Sequence, residues 1–367
     1  MGIGIELLWG SDRFWARAAD DLARARRRLY VQAMTFEGDG VGRNVAAAIA
    51  ASEAVDRRVL VDAYTCHVVS DRFVWSPAAL TDPALRSEVR STRAMFSHLK
   101  SVGVRVRMTN PVGPFFAHYP ARNHKKLIVA DSVAYIGGLN FSDHNFAWSD
   151  FMVRLEGEAA ARFLAEDFEA TFAGAPRPAR ADLGEIQMLS MDGRTNAQAF
   201  AEITHLIDVA KHEIAVVSPY LTFPFIRPLA RARRRGVTVR LATPVANNKP
   251  VLRRYVLDQA RRHGFEVRLA SAMSHAKAIV VDREHLIVGS SNFDFVSVAA
   301  EEEIVAVISS RSLAATFLES VDANLADSRA QAPLAAQGGW TSMVLLRIAE
   351  RFAILGRRAP RTAIDWP

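Results

Sequence analysis

The sequence predicts an α/β protein built from two similar α/β/α lobes, an internal duplication whose halves contribute to one shared active site at their interface. Three observations predict this. The same order of helices and apolar runs appears twice along the chain. A His-x-Lys-x4-Asp pattern occurs once in each half. A Gly/Pro-rich stretch from Ala173 to Arg180 separates the halves.

Gly10 opens a helical stretch from Phe14 to Arg28, which leads into the apolar run Leu29-Tyr-Val-Gln-Ala-Met-Thr-Phe36. Gly193 opens a second, from Ala197 to His212, which leads into Ile214-Ala-Val-Val-Ser-Pro-Tyr-Leu221. Continuous apolar runs that follow amphipathic helices read as buried strands. A second strand follows in each half, at Val59–Asp62 and at Val237–Leu241, the latter after the Arg-rich helix Ala230–Arg235. A third pair is Val104–Arg107 and Phe265–Leu269, and each half then presents its His-Lys segment as a strand. Leu29 and Ile214 are 185 positions apart, but His124 and His275 only 151, so the first half carries about 34 extra residues ahead of its motif. These fall in Tyr64–Phe96 and Asn110–Asn123 and are expected to be surface loops. The expected organisation is a lobe over 1–175, a second over 183–330, and an amphipathic helix over 338–358.

Composition bounds the function. Half the residues are hydrophobic and the formal net charge is +7, which favours anionic partners without choosing among them. Cys66 is the single cysteine, so no intrachain disulfide and no cysteine zinc cluster are expected. No run approaches eighteen apolar residues, so no transmembrane helix is predicted, and Met1–Leu8 does not read as a secretory signal. Only six of the 46 basic residues are lysine, and Lys126 and Lys277 both sit in the repeated motif.

His124-Lys-Lys126-Leu-Ile-Val-Ala-Asp131 and His275-Ala-Lys277-Ala-Ile-Val-Val-Asp282 share one form, and each is followed by a similar tail, Gly137-Gly-Leu-Asn140 and Gly289-Ser-Ser-Asn292. On a strand, residues i and i+2 point to the same face, so each His projects with its Lys. Each Asn can donate its side-chain amide to a phosphate oxygen. Two imidazoles, two ammonium groups and two amides suit phosphoryl transfer: one His attacks phosphorus, the other protonates the leaving oxygen, and the cations stabilise charge on the non-bridging oxygens. This chemistry needs no cofactor and no metal, and no carboxylate cluster that would hold a metal is evident in the sequence. A nucleophilic His also needs a carboxylate on its other nitrogen. Asp150 follows the first tail and Glu303 the second, with Glu301 and Glu302 as competitors for the latter role.

These residues resemble the phospholipase D superfamily, and the resemblance spans about residues 5–325. Within it the wording is similar to bacterial cardiolipin synthases and related phosphatidyltransferases, through Arg122-Asn-His-Lys-Lys-Leu127, Gly137–Asn140, Trp148–Gly157, Gly289–Asp294 and Glu303–Val307. The resemblance implies a catalytic set of His124, Lys126, Asn140, Asp150, His275, Lys277, Asn292 and Glu303. It implies that Asp131 and Asp282 are mainly structural and that His124 is the nucleophile. The implied partners are anionic phospholipid substrates and a peripheral membrane surface on the cytoplasmic side, with nucleic acid disfavoured and the oligomeric state open. Hydrolysis to phosphatidic acid and cleavage of nucleic acid are the alternative activities. Two features favour lipid: the aromatic insertions around Phe73, Trp75, Phe115 and Phe116, and the stretch Trp340–Leu355, which can lie in a bilayer interface or pack on its own lobe.

Overall fold

The structure is a computed structural model that describes residues 2–324 and 339–367. Residues 325–338 lie outside the described residues; they include the last positions of the expected second lobe and the first of the expected C-terminal helix. The chain divides into two units. The first comprises Met1–Ala147, Phe151–Ala179 and Ala359–Pro367, the second Trp148–Asp150 and Arg180–Arg358.

In the first unit the chain runs β1 (Gly4–Trp9), α1 (Ser11–Arg24), β2 (Arg28–Ala33), α2 (Gly40–Ala51) and β3 (Asp56–Asp62). A small hairpin follows, β4 (Val68–Val69) with β5 (Arg72–Phe73), then α3 (Pro77–Leu80), α4 (Pro83–Ser101) and β6 (Arg105–Thr109). After the His-Lys segment come β7 (Leu127–Ala130), β8 (Val133–Gly137), α5 (Asp143–Phe146), β9 (Phe151–Glu156) and α6 (Glu158–Phe172). β2, β3 and β6 are parallel, and β7, β8, β9 and β1 continue the sheet antiparallel. The strand period of two explains how β2 serves two layers. Leu29, Val31 and Ala33 enter a core shared with Phe14 and Leu22 of α1, Ile49 of α2 and Phe96 of α4. Tyr30 points to the other face and stacks on Phe168 of α6 at 4.7 Å.

The second unit repeats the design. Its elements are β10 (Ala179–Asp182), β11 (Ile186–Asp192), α7 (Asn196–Val209), β12 (Glu213–Val217), α8 (Ile226–Arg234), β13 (Thr238–Pro244), α9 (Pro250–His263) and β14 (Glu266–Ala270). β15 (Ala278–Val281), β16 (His285–Gly289), α10 (Phe295–Ala299), β17 (Glu302–Ser309), α11 (Arg311–Asn324) and α12 (Gly339–Gly356) follow. β12, β13 and β14 are parallel; β15, β16, β17 and β11 extend the sheet antiparallel in the order found in the first unit. Ile214 and Val216 pack with Ile203 of α7, Leu229 of α8 and Val256 of α9. Each such side chain taken out of water contributes about 1.5–3 kcal/mol, so these apolar runs specify their strands through burial.

One element follows Arg358: β18 (Ala363–Asp365) pairs antiparallel with β6 and completes the first sheet as its eighth strand. Trp366 beside it is buried, its ring 4.3 Å from that of Phe96.

Two expectations need correction. The stretch Tyr64–Phe96 is not all loop, because from Pro83 onward it is α4, whose Leu85, Thr92, Met95 and Phe96 are buried. Asp82 caps this helix through the backbone N–H groups of Ala84 and Leu85, and Pro83 sits at its first position. α4 occupies the place that α9 holds in the second unit, between the second and third parallel strands. The His-Lys segments also precede their strands, since β7 begins at Leu127 and β15 at Ala278. The ladder ends there because β2 first meets β7 at Gln32–Leu127, and β12 first meets β15 at Val217–Ala278.

Candidate active site

Asp131 and Asp282 each occupy a turn with φ of 52°, a left-handed conformation that Asp tolerates better than most residues. The Asp131 carboxylate accepts the backbone N–H groups of Arg26, Arg27 and Arg28 at 2.8, 2.9 and 3.0 Å. Asp282 does the same for Lys211, His212 and Glu213 at 2.8, 2.8 and 3.0 Å. Burial alone pushes both carboxyls up, but the three N–H groups outweigh it and hold each below the usual carboxylate range. Each motif Asp therefore pins the start of the strand beside its own His-Lys segment.

Within the first unit, His124 and Lys126 are almost completely buried, and the Lys126 ammonium donates to the His124 carbonyl at 2.7 Å. Lys125, pointing the other way, is fully buried against Asp167 at 2.7 and 2.9 Å. The backbone just ahead of His124 is clamped. Asp62 accepts from Arg122 at 2.6 Å and from the Asn123 backbone N–H at 2.7 Å, while Gln32 donates to the Asn123 side chain at 2.8 Å. Asn140 lies at the end of the first tail, its Oδ1 receiving the Thr35 backbone N–H at 3.3 Å.

The second unit holds a more explicit constellation. His275 is buried, and its Nδ1 lies 3.0 Å from Asp150 Oδ2. Asp150 arrives on Trp148–Asp150, the short segment of the first half that belongs to this unit. A bridge between Ser149 and Ser274 fixes it, with the His275 N–H donating to the Ser149 carbonyl at 2.8 Å and the Ser149 N–H to Met273 at 3.0 Å. The rings of Trp148 and Tyr220 stand 5.5 and 5.9 Å from the imidazole. The Lys277 ammonium donates to the His275 carbonyl, as in the first half.

Gly289 is required where it stands, because a Cβ there would lie 2.1 Å from the Ile304 carbonyl oxygen. That close approach sets β16 against β17 and brings Glu303 into the second unit's polar core. Glu303 is fully buried and accepts hydrogen bonds from Ser290 Oγ and, at 2.7 Å, from Ser297 Oγ. Glu301 lies farther from the same hydroxyl, at 3.4 Å. Asn292 is buried too, its carbonyl receiving Ser218 Oγ at 2.8 Å. Its side-chain Oδ1 has no partner among the described residues. Nearby, burial and then the Glu303 charge push the Asp294 carboxyl up to about 6, against the Ser297 N–H that holds it down.

Sequence reasoning missed the aromatic walls Trp148 and Tyr220, the hydroxyls Ser290 and Ser297, and the Asp62–Arg122 clamp. Trp148 carried a signal through its place next to Asp150; the others are brought in by long-range folding. In the first unit, Glu37, Asp39 and Glu88 have oxygens within 4.8 Å of one another. Ser70 stands among them, donating its N–H to Glu37 at 3.1 Å and its hydroxyl to Glu88 at 3.0 Å. Burial, reinforced by Glu88, pushes the Glu37 carboxyl up to about 9 despite the Ser70 N–H.

Several arginines of the basic runs Arg24–Arg28 and Arg231–Arg235 meet carboxylates. Arg24 pairs with Asp20 at 2.6 Å, Arg27 and Arg28 with Glu158 at 3.1 and 3.2 Å, and Arg231 with Asp208 at 2.7 Å. The insertions present aromatic side chains to solvent. Phe73, Trp75, Phe115 and Phe116 are all exposed, and Phe116 packs edge-on to Phe73 and to His67.

A family model described as "Cardiolipin synthase, PLD-like domain" matches residues 19–172 and 203–324. The minor cardiolipin synthase ClsB of Bacillus subtilis is 28% identical over 232 residues, which cover 56% of this chain and 57% of that protein. Cardiolipin synthase B of Escherichia coli K12 is 26% identical over 358 residues, covering 89% of this chain and 81% of that protein. Among solved structures, the phosphatidylserine synthase of Haemophilus influenzae Rd KW20 superposes with a TM-score of 0.73 at 13% identity, covering 96% of this chain and 95% of that one. The polyphosphate kinase of Porphyromonas gingivalis gives 0.59 at 12% identity, covering 95% of this chain and 56% of that one. These two likenesses concern the fold. With the duplicated motif and most of the chain matched, the protein belongs to the phospholipase D superfamily, in the family of cardiolipin synthase PLD-like domains.

Proposed function

We propose that the protein is a phosphatidyltransferase that moves a phosphatidyl group from one phospholipid to the hydroxyl of another, as a cardiolipin synthase does. The cardiolipin synthase relatives support an enzyme of the phosphodiester-transfer kind. The observation that carries the chemistry is the Asp150–His275 pair at 3.0 Å, a buried imidazole whose orientation and tautomer a carboxylate sets. With Nδ1 facing Asp150, we assign the proton exchange to Nε2. By the symmetry of the repeat, we assign the corresponding carboxylate role for His124 to Glu303.

In this reading His124 attacks the phosphorus of phosphatidylglycerol. The bond from phosphorus to the glycerol oxygen breaks, and that oxygen takes a proton from His275. The phosphatidyl group is then held on His124 through a phosphorus–nitrogen bond. The hydroxyl of a second phosphatidylglycerol gives its proton to His275 and attacks phosphorus, releasing cardiolipin and restoring His124. Lys126, Lys277, Asn140 and Asn292 are assigned to the non-bridging oxygens. Every step is a proton or phosphoryl transfer that these side chains can balance among themselves.

The exposed aromatics Phe73, Trp75, Phe115 and Phe116 support a lipid substrate, and the carboxylate partners of Arg27, Arg28 and Arg231 leave these three less available to a nucleic-acid backbone. No described helix is long and apolar enough to cross a membrane. We place the enzyme on the cytoplasmic face, peripheral to the bilayer. The test offers the purified protein phosphatidylglycerol vesicles and, in parallel, labelled single- and double-stranded DNA, with lipid products read by mass spectrometry. Cardiolipin that disappears in His124→Ala and in His275→Ala supports the proposal. Phosphatidic acid as the sole product would make the enzyme a hydrolase. DNA cleavage lost in His275→Ala, without lipid turnover, would replace lipid with nucleic acid.

A further inference from the structure

α12 packs on the second unit with one side only. Leu346 and Ala353 are buried in the core beneath it, and Met343 lies partly buried beside them. Arg347 stacks on the Phe223 ring at 3.8 Å and pairs with Glu350 at 2.8 Å. Arg357 ties the helix end down by donating to the Ala299 carbonyl at 2.9 Å. The opposite side is apolar and faces solvent: Trp340, Val344, Leu345, Ile348, Phe352 and Leu355 are exposed by 66, 37, 53, 49, 61 and 60%.

These positions form one stripe. With about 100° of turn per residue, the six side chains fall within an arc of about 140° and run about 22 Å along the helix. Isolated surface hydrophobics need no explanation, but a continuous rigid stripe of this size does. One side of it is basic: Arg351 lies about 20° inside the Trp340 edge of the arc and Arg358 in line with that edge just past the helix end, both exposed and without an ion pair among the described residues. An apolar stripe bordered by arginine, too poor in apolar residues all round to span a membrane, has the pattern of a helix that lies in the plane of an anionic interface.

We propose that the exposed stripe of α12 is the surface on which this protein docks to an anionic phospholipid bilayer, the helix lying flat with its Trp340, Leu345, Ile348 and Phe352 side chains at the boundary between headgroups and acyl chains. The stripe's arginine border answers lipid phosphates, and the face that carries Leu346 and Ala353 keeps the helix fastened to the second unit. This rests on the reading of the protein as a phospholipid-transforming enzyme, because it supplies the contact with the surface where such substrates lie.

The test is co-sedimentation of the full-length protein with vesicles of equal parts phosphatidylglycerol and phosphatidylcholine, and with phosphatidylcholine alone. The protein should bind the anionic vesicles at least tenfold more tightly than the neutral ones, and less as salt is raised. The variant Leu345→Gln/Ile348→Gln/Phe352→Gln should lose at least tenfold in binding while turning over dissolved short-chain phosphatidylglycerol at the wild-type rate. Arg351→Glu/Arg358→Glu, which disturbs no packing, should lose binding to anionic vesicles and little on neutral ones. Unchanged vesicle binding in both variants overturns the proposal. So does a wild-type dimer in sedimentation velocity that the triple variant converts to monomer with no change in vesicle binding, for then a second copy covers the stripe. Binding that follows these expectations without any lipid product would sink the proposed reaction and leave the docking surface standing.

Discussion

Glu37 is buried beside Ser70 and Glu88, and its carboxyl titrates near 9 in the folded protein against the ordinary 4.5. A raised carboxyl value means that the folded state keeps a proton that the unfolded chain releases. The contribution of this one group is therefore fully present below about pH 4 and is lost as the pH climbs toward 9. Glu37→Gln, which keeps an acceptor for the Ser70 N–H, should leave the melting temperature at pH 4 nearly unchanged. At pH 8.5 it should raise stability by on the order of 1–3 kcal/mol, read from thermal melts across that range. Asp150 makes the complementary case in function. Asp150→Asn should lower kcat by about 10²–10⁴-fold with little change in KM, and Asp150→Glu should recover part of the loss. Equal melting temperatures for the two variants would separate positioning from folding. The sequence showed the types of the chemistry-bearing residues because His and Lys two positions apart recur with the same tail. It left open which carboxylate serves which histidine. Asp150 follows the first motif by sequence yet meets the second motif's His275, and no local spacing encodes such a crossing.

The strand-turn-strand element around each motif Asp is stabilised by three charge-assisted hydrogen bonds to backbone. Asp131→Ala or Asp282→Ala should cost about 1.5–3 kcal/mol each, measured by urea unfolding at pH 7. Both carboxyls titrate below their ordinary value, so the stabilisation exists above about pH 4 and is lost as the pH falls through the folded values. The variants and the wild type should converge when the same titration is run near pH 2. Elements with a clear period were readable: β2, β3, β12 and β13 fall on the apolar runs that announced them. α4 was read as loop because its arginines and serines mask its apolar spacing, and its buried side, Leu85, Thr92, Met95, Phe96 and Leu99, becomes evident only against β6 and α2.

For the whole molecule, the duplicated order of elements was legible because both copies keep the same strand sequence, from the parallel trio outward to the antiparallel edge. β18 was not, since Ala363–Asp365 is too short to show a period and its partner β6 lies some 250 positions earlier. Its weight can be measured. Trp366→Ala should cost the first unit about 3–5 kcal/mol, because the ring is buried on Phe96 and its removal leaves a cavity. Hydrogen exchange at β6 should accelerate in that variant, while β12 and β13 of the second unit keep their protection.

The pairing of β18 with β6 also bears on the order of events during synthesis. Translation proceeds from the N-terminal side, and domains ordinarily fold as they emerge from the ribosome. Here β1 to β9 emerge early, yet β6 stays an unpaired edge until Ala363–Asp365 has been made, long after the second unit's sheet is complete. The unit translated first is thus the last to close. Throughout that interval its open β6 edge must be kept from pairing with other nascent chains, so the expected risk of aggregation belongs to the birth of the protein rather than to its mature form.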